Sequence, residues 1–361
     1  MTSNRPRALQ VFAGPRALAH LRERGLKPAD VSLIPAAAGG PKGLVLNPLD
    51  RFLFGHWLAG STHRVHLLGA SIGAWRMACA TLPDADAALA QLADLYIHQS
   101  YDVPEGGWPD AAEVSRVFAD LLGRQFGGRE AAVLAHPRYR LHVFTSRGHG
   151  ALLRREGRWR TPLGYAGAFA ANLRERAALG RWLERVVFSD PRDALPLPLA
   201  DFATRTVALD VANLGPALRA SGAIPFVLQA VHDIPGAPPG AYWDGGITDY
   251  HLHLDYAAMD DGLVLYPHFQ RALVPGWLDK GLKRRHAATP RLDNVVVLAP
   301  HPDWVKTLPG AKLPDRQDFK TYRHANAERL RAWHTAVAAA QQLADEAADW
   351  LAAPTQDALP L

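Results

Sequence analysis

A single cysteine, Cys79, stands in a chain of 361 residues. One thiol excludes an internal disulfide framework and any multi-cysteine metal site. Lying among apolar residues just after a Gly-x-Ser-x-Gly turn, it reads as a small buried residue rather than a reactive thiol. Long apolar runs are also missing: no stretch approaches the ~20 residues of a membrane span. The first sixteen residues carry Arg5, Pro6, Arg7 and Pro15 where a signal peptide would have an apolar segment. The expectation is a soluble, cytoplasmic protein, with signal-independent export left open. There is no obvious internal repeat. Charge of one sign is not in large excess either, with 40 basic against 35 acidic residues and a formal net charge of +5. That balance reads as an arginine-rich, solvated surface rather than a nucleic-acid partner.

What is present is enough apolar material, 48% of residues, to bury a full core in one large α/β domain or two smaller ones. Strand-like and helix-like segments alternate. Residues 8–12, 31–34 and 65–68 read as strands, 15–24 and 84–98 as helices, and an apolar helical run (Leu44, Leu46, Leu49, Phe52, Leu53) lies between the second and third strands. Further on, 101–107 turns irregular, 114–126 is helical, 140–145 alternates as a strand, and 169–183 reads as an amphipathic helix. Residues 191–198 form a proline-punctuated loop bordering the active-site entrance. Strands at 206–209, 263–266 and 294–298 and a short helix at 213–220 complete the pattern. Phe319, Tyr322, Leu330, Trp333, Val337, Ala340, Leu343, Ala347 and Trp350 define one stripe on a last long element. The fold class expected is α/β, with a three-layer, mostly parallel sheet, helices on both faces, and an added long C-terminal helix. Its organisation is expected to be a main domain over 1–315, the docked helix over 316–352 and a frayed tail over 353–361.

The chemistry centres on Gly69-Ala70-Ser71-Ile72-Gly73, which follows a strand and opens a helix. This is the context of a nucleophile elbow, in which Gly69 and Gly73 keep side chains out of a crowded corner and Ser71 stands exposed. A serine nucleophile also needs a base and donors for the oxyanion it creates. Gly39-Gly40-Pro41-Lys42-Gly43 lies between a strand and a helix, so its N–H groups can face an anion; Pro41 has none, which leaves Gly39, Gly40 and Lys42. A P-loop is excluded because Leu44 follows Gly43. Downstream, Tyr242-Trp243-Asp244-Gly245-Gly246 puts one carboxylate in an aromatic and glycine setting that raises its pKa.

Together these blocks resemble the patatin-like phospholipase family. That family has a glycine-rich oxyanion loop, a Gly-x-Ser-x-Gly elbow about thirty residues later and a downstream Asp-Gly-Gly/Ala. Ala220-Ser221-Gly222-Ala223-Ile224-Pro225 is similar to the block that precedes the family's aspartate, and Ala38 stands where the family has the first loop glycine. The resemblance implies a Ser71–Asp244 dyad, an oxyanion hole at the Gly39/Gly40 loop, and hydrolysis of lipid esters through an acyl-enzyme with no cofactor and no metal.

Two rivals remain at the level of sequence. An α/β-hydrolase triad would recruit a downstream histidine (His251, His253, His268, His286 or His301), His301 being the best placed. A non-catalytic lipid-binding protein could keep the same fold. His251 and His253, with Asp249 and Asp255, also have the spacing of a metal pair on a strand. For the expected partner, a lipid or ester substrate, peripheral membrane contact would fall on residues 277–291, where Lys280, Lys283, Arg284 and Arg285 surround Trp277, Leu278 and Leu282. Head group, chain length and oligomeric state have no sequence signature.

Overall fold

Runs such as Val295-Val296-Val297-Leu298 have no polar alternation, the pattern of strands covered on both faces. The computed structural model, which describes residues 6–102 and 109–361, places these runs in the middle of one mixed sheet. The irregular stretch expected over 101–107 falls, from 103 on, outside the described residues. In chain order the strands are β1 (Leu9–Ala13), β2 (Val31–Ala36), β3 (Val65–Ala70), β4 (Tyr139–Gly148), β5 (Leu183–Ser189) and β6 (Thr204–Ala208), then β7 (Val231–His232), β8 (Ala241–Asp244), β9 (Leu263–Pro267), β10 (Val295–Pro300) and β11 (Leu359–Pro360). Across the sheet the order is β11-β1-β10-β9-β2-β3-β4-β5-β6. The central five, β10-β9-β2-β3-β4, run parallel. β1 is antiparallel to β10, and β5 and β8 are antiparallel to β4. Helices cover both faces. The fully buried Leu33, Ile34, Leu67, Val143, Val264 and Val296 belong to one core.

Several boundaries differ from the sequence expectation for identifiable reasons. The amphipathic helix expected over 169–183 lies earlier, at Arg160–Arg174, and β5 begins at Leu183. Glu184 and Arg185 disguise that strand because charged residues rarely occupy a fully buried one. Here both are neutralised: Glu184 by Arg147 and Arg205, and Arg185 by Asp201 and Asp249. The loop over 191–198 does not border the site. Its Asp193 pairs with Arg64 and with Arg140 at the starts of β3 and β4, the opposite end of the sheet from the elbow. The C-terminal helical element is carried by three consecutive helices, Gln317–Thr321, Asn326–Ala339 and Gln341–Ala352. The tail is not frayed. Gln356 is buried and accepts from Leu26 N–H at 2.7 Å, and β11 adds a strand beside β1.

The helix Asn47–Phe52, which follows the glycine loop, is tied to the helix Ile72–Ala80 that follows the elbow by a buried ion pair. Arg76 donates to Asp50 through Nε at 2.6 Å and Nη2 at 2.8 Å. Neither side chain reaches water, so either charge alone would be stranded. Replacing Asp50 with Ala is therefore expected to cost about 3–5 kcal/mol, read as a fall in the urea midpoint. A double Asp50→Leu, Arg76→Met variant should recover most of that loss.

Candidate functional site

The site is assembled by β4. Over its first half, β3 pairs along one edge and ends with Ala70 opposite Phe144. At the next residue of β4 the same edge passes to β8, which arrives from the other direction and ends with Asp244 opposite Thr145. Two strands running head to head thus bring Ser71 and Asp244, the residues at their ends, side by side. The Ser71 hydroxyl lies close enough to the Asp244 side chain to favour its carboxylate form.

Ser71 has φ 56° and ψ −130°, a backbone conformation that costs a non-glycine residue free energy and recurs at functional turns. The corner holds because nothing else fits. A Cβ on Gly69 would come within 2.3 Å of the Ala74 backbone, and one on Gly73 within 2.0 Å of the Ala36 carbonyl. Ser221 locks the corner from the side. Its hydroxyl donates to the Phe144 carbonyl at 2.7 Å and accepts the Ser71 N–H at 2.9 Å, while its carbonyl accepts the Gly245 N–H. Sequence reasoning saw Ser221 only as part of a matching block and gave it no role.

Asp244 is almost fully buried. Desolvation pushes its carboxyl above the ordinary carboxylate range. The Arg316 charge, the Ser71 hydroxyl, the Gly246 N–H (2.7 Å) and the Lys280 charge oppose that rise. Over Ser71 opens a cleft with an apolar wall that includes Ile72, Trp75, Tyr96, Phe118, Leu228 and Phe319.

Gly40 lines this cleft beside Ser71 and has φ 55°, in the left-handed region. Gly39 precedes it and opens a 3-10 turn over Gly40–Leu46. First-turn N–H groups lack intrahelical acceptors, and this is the end of the helix that attracts anions. The Lys42 ammonium lies 5.4 Å from the centre of the Phe269 ring. Ala38 packs where a Cβ on Gly246 would meet it at 2.6 Å, so the loop and the Asp244 turn are in direct contact.

Residues beyond the elbow region complete the cleft with no motif to announce them. Arg316 and Phe319 both line it. Phe319 is held by Arg329, whose guanidinium lies over its ring and donates to the Ile97 and Gln99 carbonyls, and by Trp333, which meets it edge-on, stacks near Tyr96 and donates to Asp318 at 2.8 Å.

The other candidates are placed elsewhere. His301 caps a short helix, accepting from Asp303 N–H, and sits at the end of β10. Three strand steps separate β10 from β3, roughly 14 Å at ~4.8 Å per step. Among the described residues lining the cleft there is no histidine. His251 and His253 turn their Nδ1 atoms to backbone groups of the segment Ala272 to Val274, and Asp249 is bound by Arg185 and Arg176. Among the described residues, no group of three or more potential ligands is placed to hold a metal. Cys79 is fully buried, and burial pushes its thiol up. In the segment 277–291, Leu278 is buried, Arg285 is bound to Asp279 and Asn172, and the Lys280 ammonium lies over the Tyr250 ring at 4.1 Å.

The raised pKa of Asp244 carries a stability consequence. The folded chain holds this proton more tightly than the unfolded chain does, so the cost of the buried carboxylate is absent in acid, sets in as pH rises past the unfolded pKa and is complete above the folded pKa. Asp244→Asn removes that cost. The variant's urea midpoint should gain on the wild type's as pH rises from acid, by an amount that levels off once Asp244 is ionised in the folded chain. A variant that gains nothing on the wild type as pH rises would contradict the burial argument.

With this geometry in hand, comparison with known proteins adds an identity. Among the curated proteins none matches the chain. The crystal structure of VipD from Legionella pneumophila is similar at a TM-score of 0.34 and 12% identity, over 96% of this chain and 72% of that one. A family model described as patatin-like phospholipase matches residues 58–252, more than half of the chain and the stretch that holds both Ser71 and Asp244. The chain belongs to the patatin-like phospholipase family.

Proposed function

We propose that the protein is a lipid acyl hydrolase that works through a Ser71–Asp244 dyad and an acyl-enzyme. The observation that carries this reading is the juxtaposition of Ser71, on a strained turn at the foot of an apolar cleft, with the buried Asp244 carboxylate at the end of the strand that meets its own head to head. Asp244 accepts the Ser71 proton as Oγ attacks the ester carbonyl. The oxyanion is met by the Gly39 and Gly40 N–H groups at the start of the 3-10 turn, with the Lys42 backbone close behind. Collapse returns the proton from Asp244 to the leaving alcohol, and water activated by Asp244 then frees the acid. The pair needs no cofactor for any of these steps. Asp244 must be ionised to act, and the surrounding cationic charge favours that form although burial opposes it.

A lipid rather than a small soluble ester is favoured by the surface beside the site. The helix Arg160–Arg174 carries no charged side chain from 161 to 173. Trp159 is 70% exposed and Leu163 60%; Phe169 and Leu173 continue the same outward stripe. Exposed arginines 154, 155, 158 and 160 flank one end, and 174 and 181 the other. An apolar face with a basic margin suits an anionic membrane surface. On its inner side Tyr165 packs against Trp243, the neighbour of Asp244, so the stripe lies on the catalytic side of the molecule. This is a better membrane-facing element than the partly buried 277–291 segment.

The test is ester hydrolysis on two forms of substrate, a dissolved p-nitrophenyl ester and phospholipid vesicles. Ser71→Ala should abolish both. Asp244→Asn should lower both by about 10²–10⁴-fold, and His301→Ala should leave both near wild type. Leu163→Glu with Phe169→Glu should spare the dissolved ester and depress the vesicle rate. Inactivity of His301→Ala would replace the dyad by a triad. A double-Glu variant that works normally on vesicles would remove the membrane role of the helix.

A further inference from the structure

We propose that the mouth of the cleft is an anion subsite, in which Arg316, Lys280 and Lys42 receive a phosphate or carboxylate carried by the substrate close to its scissile ester. The proposal rests on the hydrolase reading and specifies its substrate class as acidic acyl esters.

The three cations converge on one place. Arg316 lines the cleft with Ser71 and Gly40, and its guanidinium lies so near the glycine loop that a Cβ on Gly40 would stand 3.3 Å from Nε and 3.6 Å from Nη2. Lys280 places its ammonium 4.1 Å from the centre of the Tyr250 ring and 5.8 Å from that of Trp277. Tyr250 in turn packs against the Asp244 turn, where a Cβ on Gly246 would be 3.3 Å from its ring. Lys42 is on the loop itself, over Phe269.

None of the three has a carboxylate within ion-pair distance among the described residues. Two of the chain's buried arginines are paired with carboxylates, Arg76 with Asp50 and Arg185 with Asp201 and Asp249, and a third, Arg329, is satisfied by the Ile97 and Gln99 carbonyls. The carboxylate that Arg316 and Lys280 face together is Asp244, which already accepts the Gly246 N–H. Asp315 lies near Lys42 and offsets part of its charge, but its own salt bridge is to Lys312 at 2.9 Å. The site is therefore positive in balance. The cations also pay for each other's company: desolvation first, then the Arg316 and Lys42 charges, pushes the Lys280 ammonium down to about 7, although the residue as a whole is exposed. Lys42 is lowered in the same way, by desolvation and by neighbouring cations. An anion seated between them would relieve that repulsion, and a guanidinium matches phosphate or carboxylate oxygens with two parallel hydrogen bonds. A neutral substrate would leave the charges unmatched. Lys42 belongs to the glycine loop, whereas Arg316 and Lys280 come from the chain beyond residue 252, where the family match ends.

Binding separates this proposal from the catalytic one. Octyl phosphate, octanoate and octan-1-ol are all eight-carbon ligands that differ chiefly in the head, and each can be titrated calorimetrically into wild type, Ser71→Ala, Arg316→Gln and Lys280→Gln. The subsite predicts that at least one anionic head binds about tenfold or more tightly than the alcohol. It also predicts that this advantage survives Ser71→Ala, falls in Lys280→Gln and nearly disappears in Arg316→Gln. An advantage for the phosphate alone identifies a phospholipid head group, and one for octanoate alone identifies an acyl ester of a hydroxy acid. Equal binding of all three ligands, or an advantage unchanged in both Gln variants, overturns the subsite even if esters are hydrolysed. An Arg316-dependent advantage in a protein that cleaves no ester would keep the subsite and discard the hydrolase.

Discussion

The structure depends on a constraint on one strand. β4 carries β3 and β8 along the same edge, in opposite directions and without a gap, so that their ends meet at Phe144 and Thr145. Because strand register is pinned by buried faces on both sides, neither end can slide. The strained Ser71 backbone and the buried Asp244 are both unfavourable in isolation, and each persists because the surrounding sheet and the Ser221 clip over-determine it. Rigidity at this corner is what the proposed direct proton transfer from Ser71 to Asp244 would require.

Around that corner the chain balances a buried negative charge with positive ones. Asp244 would be hard to keep ionised in an apolar cleft, and Arg316 and Lys280 act against its desolvation. Both come from the part of the chain after the family-matching stretch. The C-terminal helices are therefore more than a cover for the sheet: Phe319 and Arg316 form part of the cleft, and Arg329 and Trp333 hold Phe319 against the helix Ala85–His98 and the residue after it. The same cations that favour the ionised form of Asp244 are the ones proposed to receive an anionic substrate.

What was legible in the sequence was local. The elbow, the glycine loop and Asp244-Gly245-Gly246 announce themselves because tight turns admit few residue types, and the clashes a Cβ would meet at Gly69 and Gly73 show why. The parallel strands were legible as β-branched runs. Features that depend on distant partners were not. β5 hides behind Glu184 and Arg185, whose charges are cancelled by residues from other strands and loops. The last residues look like a tail until Gln356 and β11 are seen bound to the first strand and its helix. Arg316 has no local signature at all, being one of many arginines, and only the fold brings it to Gly40. His301 looked well placed because it follows a strand, but strand order, which no local pattern encodes, puts it three positions away.

The central claim is that Ser71 is an activated nucleophile in the folded protein, and the most direct test is labelling with an alkyl fluorophosphonate followed by peptide mass spectrometry. The account predicts a single adduct on Ser71 that is absent in Ser71→Ala and strongly slowed in Asp244→Asn. A folded wild-type protein that takes no label, or takes it on another residue, would contradict it.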